Sequence, residues 1–193
     1  IDEENWREQR TLQFAALGFD VSFQEIFSTI SIGSTLILID ASKRLSHDLL
    51  MQHIKEKNIQ RLYLPYISIK SISDNLYEKI SNNSEIISNN LREIIIAGEQ
   101  LFITPQIDHL LKAHSKCRLH NHYGPSETHV VTHYTLSRTT SFRLHSVPIG
   151  RPIANTYIYL LDAYGQPVPL GAAGELYIGG AGVARGYLNR PEL

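Results

Sequence analysis

Three short runs of mostly apolar residues, each followed by a segment with helical periodicity, constrain the fold of this chain more than any other feature. The runs lie at 35–40, 61–64 and 91–97. Because polar residues do not alternate regularly within them, we expect strands buried on both faces, as in a parallel sheet covered by helices. The alternation of strands and helices predicts right-handed crossovers and a mostly parallel sheet.

Apolar spacing and start signals predict the helices between these strands. Asp20 or Ser22 lies where the first helix would have its N-cap, Ser46 is a candidate cap for the second, and Pro105 marks the start of the last. The predicted helices run over 19–30, 46–57, 67–80 and 105–114.

The character of the sequence changes after residue 136. Segments 155–161 and 174–178 are short, strand-like and separated by Gly and Pro turns, which indicates a small antiparallel β-unit. We therefore expect a parallel α/β part over 1–136 and a β-rich part over 137–193.

Composition excludes several classes of function. The 193 residues carry a net charge of −1, which provides no electrostatic footprint for nucleic acid or an anionic membrane surface. No apolar run approaches the length of a membrane span, and no signal peptide is visible. The single cysteine, Cys117, cannot form an intramolecular disulfide, so we expect a reducing, cytoplasmic location.

The stretch 121–128 reads Asn-His-Tyr-Gly-Pro-Ser-Glu-Thr and is predicted to be a loop between strand-like runs at 116–119 and 130–136. Its residue types suit a nucleotide, since an aromatic ring can stack on a base and a carboxylate can bind Mg²⁺. The carboxyl edge of the predicted sheet would gather Tyr63, residues 97–99 and this loop into one crevice. The alternative is an ordinary β-turn.

Histidine spacing raises a zinc site as a rival hypothesis. His120 and His122 would point to one face of a strand, and His129 and His133 have helical ligand spacing. The second pair lies in a segment predicted to be a strand, where residues four apart are separated by about 13 Å. The spacing therefore argues against zinc.

Three motifs in order identify a family resemblance. Residues 121–127 resemble Asn-x-Tyr-Gly-Pro-Thr-Glu, with Ser126 in place of Thr, and residues 19–22 resemble Phe-Asp-x-Ser. Residues 174–188 resemble Gly-Glu-Leu-x-Ile-x-Gly-x-Gly-Val-Ala-x-Gly-Tyr; a dinucleotide motif fails there because Arg185 occupies the third glycine position. Over essentially its whole length, the chain resembles part of the large N-terminal subdomain of an adenylation domain from a non-ribosomal peptide synthetase.

The resemblance implies ATP-dependent activation of an amino acid to an aminoacyl-adenylate. The acyl group would then pass to the phosphopantetheine thiol of a carrier domain, with carrier and condensation domains of the same synthetase as partners. The alternatives are an acyl-CoA or aryl ligase of the same superfamily and an inert fragment.

The resemblance covers only the middle of such a domain. The family's phosphate loop, its ribose-binding Thr-Gly-Asp and the lid with the catalytic lysine have no counterpart in the 193 residues. We therefore expect no catalytic residue in the chain, and an isolated 193-residue piece should be inactive.

Nucleotide and metal contacts can be carried over by position. By the resemblance, Tyr123 stacks on adenine, Asn121 bonds its amino group, Ser126 contacts the α-phosphate and Glu127 binds Mg²⁺. The nucleotide-binding residues implied are Gly98, Glu99, Asn121, Tyr123, Gly124 and Ser126.

The substrate pocket can be carried over in the same way. Asp20 would pair with the α-ammonium group, and the other walls are uncharged and mostly apolar, which suits a compact apolar side chain. The set is similar to the pocket of proline-activating domains, so L-proline is the expected substrate. Taken singly, Ile95, Val130 and Val131 would be called core residues. The pocket residues implied are Asp20, Val21, Gln24, Tyr63, Ile95, Ala97, His122, Val130 and Val131.

Overall fold

A seven-stranded sheet organises the molecule. The computed structural model describes residues 9–80, 88, 90–136, 146–190 and 192. The sheet has the strand order β2-β1-β3-β4-β5-β6-β7. Its strands are β1 (Arg10–Gln13), β2 (Thr35–Leu38), β3 (Arg61–Leu64), β4 (Glu93–Ile96), β5 (Arg118–Tyr123), β6 (Thr132–Thr135) and β7 (Arg151–Pro152).

Helices connect the parallel strands. Strands β1 to β5 pair in parallel, whereas β6 and β7 are antiparallel to their neighbours. The helices are α1 (Asp20–Ile30), α2 (Ala41–Arg44), α3 (His47–Glu56), α4 (Tyr66–Ile80) and α5 (Pro105–Ala113). This arrangement confirms the predicted mostly parallel sheet with flanking helices. None of the helices in the described ranges is long and apolar enough to cross a lipid bilayer.

One face of the sheet carries the hydrophobic core. Strand residues on this side pack against apolar side chains of α3, α4 and α5, such as Ile54, Ile72 and Ile107. Burying each such side chain contributes roughly 1.5–3 kcal/mol. We call this side the apolar face, defined by Leu12, Leu62, Leu64, Ile94, Ile96 and Leu119.

The opposite face is largely polar. Strand pairing places Arg61 beside Glu93, and Tyr63 beside Ile95. Helix α1 packs on β1 and β2 at this side. It is anchored by buried Glu25, whose carboxylate accepts hydrogen bonds from the Phe14 and Ala15 amides at 3.0 Å. We call this side the polar face, defined by Thr11, Arg61, Tyr63, Glu93, His120, His122 and His133.

A separate two-stranded antiparallel unit, β8 (Thr156–Leu161) and β9 (Glu175–Gly180), follows the sheet, as predicted. None of residues 148–190 is buried. The expected division between residues 136 and 137 borders segment 137–145, which lies outside the described residues.

Some local expectations were wrong. Strand β1 was not predicted, and Asn121, His122 and Tyr123 belong to β5 rather than to a loop. Phe19 is the N-cap of α1, so Asp20 is the first helical residue and not a cap. Ser46 does occupy the N-cap of α3, but its side chain makes no capping hydrogen bond.

Candidate functional site

A cavity of about 500 Å³ opens at the carboxyl edge of the parallel strands. The chain segments that follow β1, β3 and β4 meet there with the start of α1, as expected for a ligand crevice in a parallel α/β sheet. It brings together seven of the residues assigned by resemblance: Asp20, Val21, Tyr63, Ile95, Ala97, Gly98 and Glu99.

Strand register determines which side chains line this cavity. Tyr63 and Ile95 are paired residues of β3 and β4, so both side chains project from the polar face. Both are buried, and burial raises the pKa of Tyr63. Asp20 is exposed at the start of α1, at the edge of these apolar walls. A carboxylate above an apolar hollow can bind a cationic group attached to a compact hydrocarbon.

Sequence reasoning missed Arg44 as a residue of this cavity. It lies in the four-residue helix α2, and its Nη1 donates a hydrogen bond to the Phe14 carbonyl oxygen at 3.0 Å. The expectation that Asp20 would be the only charged residue does not hold for the whole cavity, because Arg44 and Glu99 also line it. No motif in the sequence marks Arg44.

A second cavity, of about 350 Å³, lies on the same face between α1 and strands β5 and β6. It contains three more of the assigned pocket residues, Gln24, His122 and Val130. Val131 is 2% exposed and lines neither cavity. Eight of the nine assigned pocket residues are therefore divided between two cavities, and the ninth, Val131, is buried outside both.

Two hydrogen bonds join α1 to the strands that line these cavities. Gln24 Nε2 lies 3.1 Å from His122 Nδ1, and Ser28 Oγ lies 3.0 Å from the Tyr63 hydroxyl. Burial, followed by the nearby His120, lowers the pKa of His122 to about 4. The imidazole is therefore neutral near pH 7, and its Nδ1 can accept the hydrogen bond from the Gln24 amide.

The segment after β5 forms a tight turn. Gly124 lies so close to the next strand that a Cβ there would be 1.6 Å from the His129 carbonyl oxygen. The Val131 amide donates to the Tyr123 carbonyl oxygen at 2.8 Å, which closes the turn. Tyr123 is half-buried, whereas Ser126 is exposed at the tip of the turn.

Asn121 lies within β5 and is buried, with 3% exposure. Its Nδ2 donates to the carbonyl oxygens of Pro148 at 2.9 Å and Val147 at 3.4 Å. This bonding fixes segment 147–148 against the strand. The amide oxygen is the group that could accept a hydrogen bond from a ligand.

The glycine-rich segment 179–188 contacts the predicted metal ligand, Glu127. The Tyr187 hydroxyl donates to Glu127 Oε1 at 2.6 Å, and the Ala184 amide donates to the Glu127 carbonyl oxygen at 2.7 Å. Both the side chain and the backbone of Glu127 are thus held by one segment. The hydrogen bond from Tyr187 lowers the pKa of Glu127, which keeps the exposed carboxylate ionised at neutral pH.

The histidines of the polar face lie side by side. The centroid of the His122 ring lies 6.3 Å from the centroid of the His120 ring and 6.4 Å from the centroid of the His133 ring. Among the residues that the structure describes, no group of three His, Cys, Asp or Glu side chains could hold a metal ion. A metal bound at Glu127 would therefore take fewer than three such side chains from the residues that the structure describes.

Comparison with known sequences gives consistent matches. A family model described as AMP-binding enzyme matches residues 1–188. The chain is 43% identical over 187 residues to gramicidin S synthase 2 of Brevibacillus brevis, covering 95% of this chain and 4% of that protein. It is 43% identical over 185 residues to tyrocidine synthase 2 of Brevibacillus parabrevis, covering 96% of this chain and 5% of that protein.

A solved structure matches with a TM-score of 0.80 and 27% sequence identity. It is holo-PA1221, described as an NRPS protein containing adenylation and PCP domains and bound to a vinylsulfonamide inhibitor. The match covers 94% of this chain and 30% of that one. The chain thus spans a small fraction of the length of the relatives it resembles.

Proposed function

The chain belongs to the AMP-binding enzymes, and from this premise we propose that the protein carrying it activates an amino acid with ATP for non-ribosomal peptide synthesis. Residues 1–193 would form one part of its adenylation domain. The similarity to gramicidin S synthase 2 and tyrocidine synthase 2 supports this class of activity. Peptidyl carrier and condensation domains would be the partners.

The single observation that carries the proposal is the position of Asp20 at the first cavity. Its carboxylate is exposed there, beside walls formed by Tyr63, Ile95 and Ala97. An α-ammonium group on Asp20 would make a charge-assisted hydrogen bond worth roughly 1.5–3 kcal/mol. The assigned walls Tyr63, Ile95 and Ala97 provide no ionic partner for a charged substrate side chain. The other charged residues of the cavity, Arg44 and Glu99, are not among the assigned pocket residues, and the Arg44 guanidinium already donates to the Phe14 carbonyl oxygen. We therefore propose L-proline or another compact apolar amino acid as substrate.

The C-terminal end of β5 and the turn that follows it are the proposed nucleotide site. Tyr123 would stack on adenine, the Asn121 amide oxygen would accept from its amino group, and Ser126 would bond the α-phosphate. The Gly98–Glu99 backbone would border the base, and Gly124 permits the tight turn that presents these groups. A base stacked on one aromatic ring contributes roughly 1–3 kcal/mol.

Glu127 fits a magnesium site of the kind that nucleotide-binding enzymes use. Mg²⁺ commonly takes one or two carboxylates and completes its shell with phosphate oxygens and water. Glu127 supplies one exposed, ionised carboxylate, which the Tyr187 hydroxyl orients. When bound, Mg²⁺ would neutralise charge on the triphosphate.

The proposed reaction has two steps. A carboxylate oxygen of the amino acid bonds to the α-phosphorus of ATP while the bond to the β-phosphate oxygen breaks and pyrophosphate leaves. The sulfur of a carrier phosphopantetheine, after its thiol proton passes to water, then bonds to the acyl carbon. The bond between that carbon and the phosphate oxygen breaks, and AMP leaves. Positioning and charge neutralisation supply most of the catalysis in such transfers, so the described residues act by binding and orienting the substrates.

A shape-matched pair of acids tests the amino-acid proposal. L-proline and cyclopentanecarboxylate have similar rings, but only proline carries the ammonium group. In pyrophosphate exchange by the intact protein, proline should be preferred by at least tenfold in kcat/KM, and Asp20→Ala should remove most of that preference. Equal activation of both acids by the wild-type protein would instead favour an acyl or aryl ligase. Exchange with neither acid, nor with any amino acid, would support the inert alternative.

A second experiment tests Glu127. Glu127→Gln keeps the size of the side chain and removes its charge, so exchange should fall strongly and require more Mg²⁺. Glu175→Gln, at an exposed position of β9, is the matched control and should behave as wild type. A wild-type rate for Glu127→Gln at limiting Mg²⁺ would contradict the metal assignment.

A further inference from the structure

The two cavities on the polar face are separated by side chains that meet between α1 and the sheet. Tyr63 lines the first cavity, and Ser28 lines the second. Their hydroxyl groups are 3.0 Å apart, so the Tyr63 ring extends from β3 to the helix. One helical turn earlier, Gln24 makes the corresponding contact with His122 of β5.

The Tyr63 hydroxyl depends on this contact. Tyr63 is 4% exposed, and Ser28 is the side chain that bonds its hydroxyl. A buried hydroxyl without a partner is costly. Removal of the serine oxygen would therefore favour a movement of the ring toward a new partner or toward solvent. Such a movement would open the first cavity, of about 500 Å³, into the second, of about 350 Å³.

We propose that Ser28 is a positioning residue that determines substrate size, because its hydrogen bond holds Tyr63 as the wall between the two cavities. This inference rests on the proposed function, in that the first cavity is taken to hold the substrate side chain. Ser28 lies on the far side of Tyr63 from the first cavity and acts through the Tyr63 ring. It lies outside the nine pocket residues that the family resemblance assigns.

The selectivity of the intact protein tests this role. Ser28→Ala should reduce the ratio of kcat/KM for proline to kcat/KM for leucine about tenfold, the size of effect expected for one buried hydrogen bond. Most of the change should be a lower KM for leucine, because the enlarged space admits its longer side chain. Tyr63→Phe has no tyrosine hydroxyl to seek a new partner, so it should change this ratio less than Ser28→Ala does.

Two further variants separate this role from a general effect on the helix. Ser28→Thr keeps the hydroxyl and should retain the wild-type ratio. Ser31→Ala removes an exposed serine at the C-cap of the same helix and should leave selectivity and the melting temperature unchanged. An unchanged ratio in Ser28→Ala, or an equal change in Ser31→Ala, would overturn the proposal.

A crystal structure of Ser28→Ala provides a measurement that does not depend on activity. The two cavities should be joined by displacement of the Tyr63 ring, and a ring in its original position would contradict the proposal. If the wild-type protein prefers another amino acid over proline, only the proposed substrate fails. The leucine ratio is then taken against the preferred substrate. If the wild-type protein activates no amino acid, the proposed function fails and the crystal structure alone decides the role of Ser28.

Discussion

The two faces of the central sheet have different compositions and different tasks. On the apolar face, leucine and isoleucine side chains of β1 and β3–β5 pack against three helices. On the polar face, β3 and β4 present Arg61 and Glu93, and β5 and β6 present three histidines. Helix α1 makes one side-chain hydrogen bond to Tyr63 of β3 and one to His122 of β5. Both candidate cavities lie on the polar side or at its edge.

This contrast shows how one sheet can carry a hydrophobic core on one face and polar groups at defined positions on the other. Apolar packing is non-directional and does not place polar atoms at defined positions. A buried hydrogen-bonded network does, because each hydrogen bond depends on the distance and angle between its atoms. Side chains of β3 and β4 alternate between the two faces, so a substitution on either strand affects the core or the site according to the face that its side chain occupies. Substitutions on the two faces should therefore have different consequences.

The largest expected effect is on the polar face, at the buried ion pair of Arg61 and Glu93. Arg61 Nε lies 2.6 Å from Glu93 Oε2, and each side chain is about a tenth exposed. Arg61→Met leaves a buried carboxylate without its guanidinium and should cost about 3–5 kcal/mol in the free energy of unfolding. Urea denaturation of the domain measures it.

The double variant sharpens this prediction. Arg61→Met together with Glu93→Met removes both charges and should be more stable than Arg61→Met alone. A double variant that is less stable than the single one would show that the pair is not the source of the effect.

On the apolar face, Ile94→Ala should cost about 2–5 kcal/mol, because Ile94 is fully buried among core side chains. Its neighbour Ile95 points to the opposite face, so the preference among amino acids should not change. A changed preference in Ile94→Ala, measured by substrate-dependent exchange, would break the proposed separation between the faces.

Acid should weaken the polar face through His122. Its pKa falls from the ordinary 6.5 to about 4 in the folded protein, so the unfolded chain takes up the proton first. The stability that this group contributes is complete above pH 6.5 and is lost as the pH falls toward 4. At about 1.4 kcal/mol per pKa unit, the loss is on the order of 3 kcal/mol.

The variant His122→Asn should flatten this part of the pH profile, since Asn retains an acceptor for Gln24 but does not titrate. The difference between wild type and variant in the free energy of unfolding at each pH isolates the contribution of His122. Glu25, whose pKa is raised by burial, is present in both proteins and cancels. Parallel stability curves for the two proteins between pH 4 and 6.5 would refute the assignment.

The smallest expected effect is at a helix on the apolar face. Thr104 is the N-cap of α5, and its side chain accepts a hydrogen bond from the Ile107 amide at 3.2 Å. Thr104→Ala should cost about 0.5–2 kcal/mol and leave substrate preference unchanged. Thermal unfolding measures the change in stability, and substrate-dependent pyrophosphate exchange measures the substrate preference.

The sequence was sufficient to predict the apolar side of the sheet. Strands β3 and β4 are buried at every position, so their sequences are mostly apolar and can be recognised as strands. Helices α4 and α5 can be recognised by the regular spacing of their apolar residues. Strand β1 was missed because its sequence, Arg-Thr-Leu-Gln, has polar residues at three of four positions. Its place inside the sheet depends on partners that are distant in the chain.

The polar face could be predicted only in part. Asp20 and Tyr63 could be assigned by position within known motifs, but a serine in a helix, such as Ser28, carries no local signal of its partner. Its contact with Tyr63 depends on how α1 lies across β3, 35 residues later. The division of the pocket residues between two cavities likewise follows from tertiary packing.

The most direct test of the account is the substrate preference of the intact protein. Substrate-dependent pyrophosphate exchange should be measured across the twenty amino acids, with pipecolate and methylproline added. Proline should give the highest kcat/KM, and valine or the ring-substituted analogues should reach about a tenth to a hundredth of it, because one methylene in an apolar pocket is worth about 1–3 kcal/mol. A charged or large aromatic amino acid with the highest kcat/KM would contradict the account of the polar face as a pocket for a compact apolar amino acid.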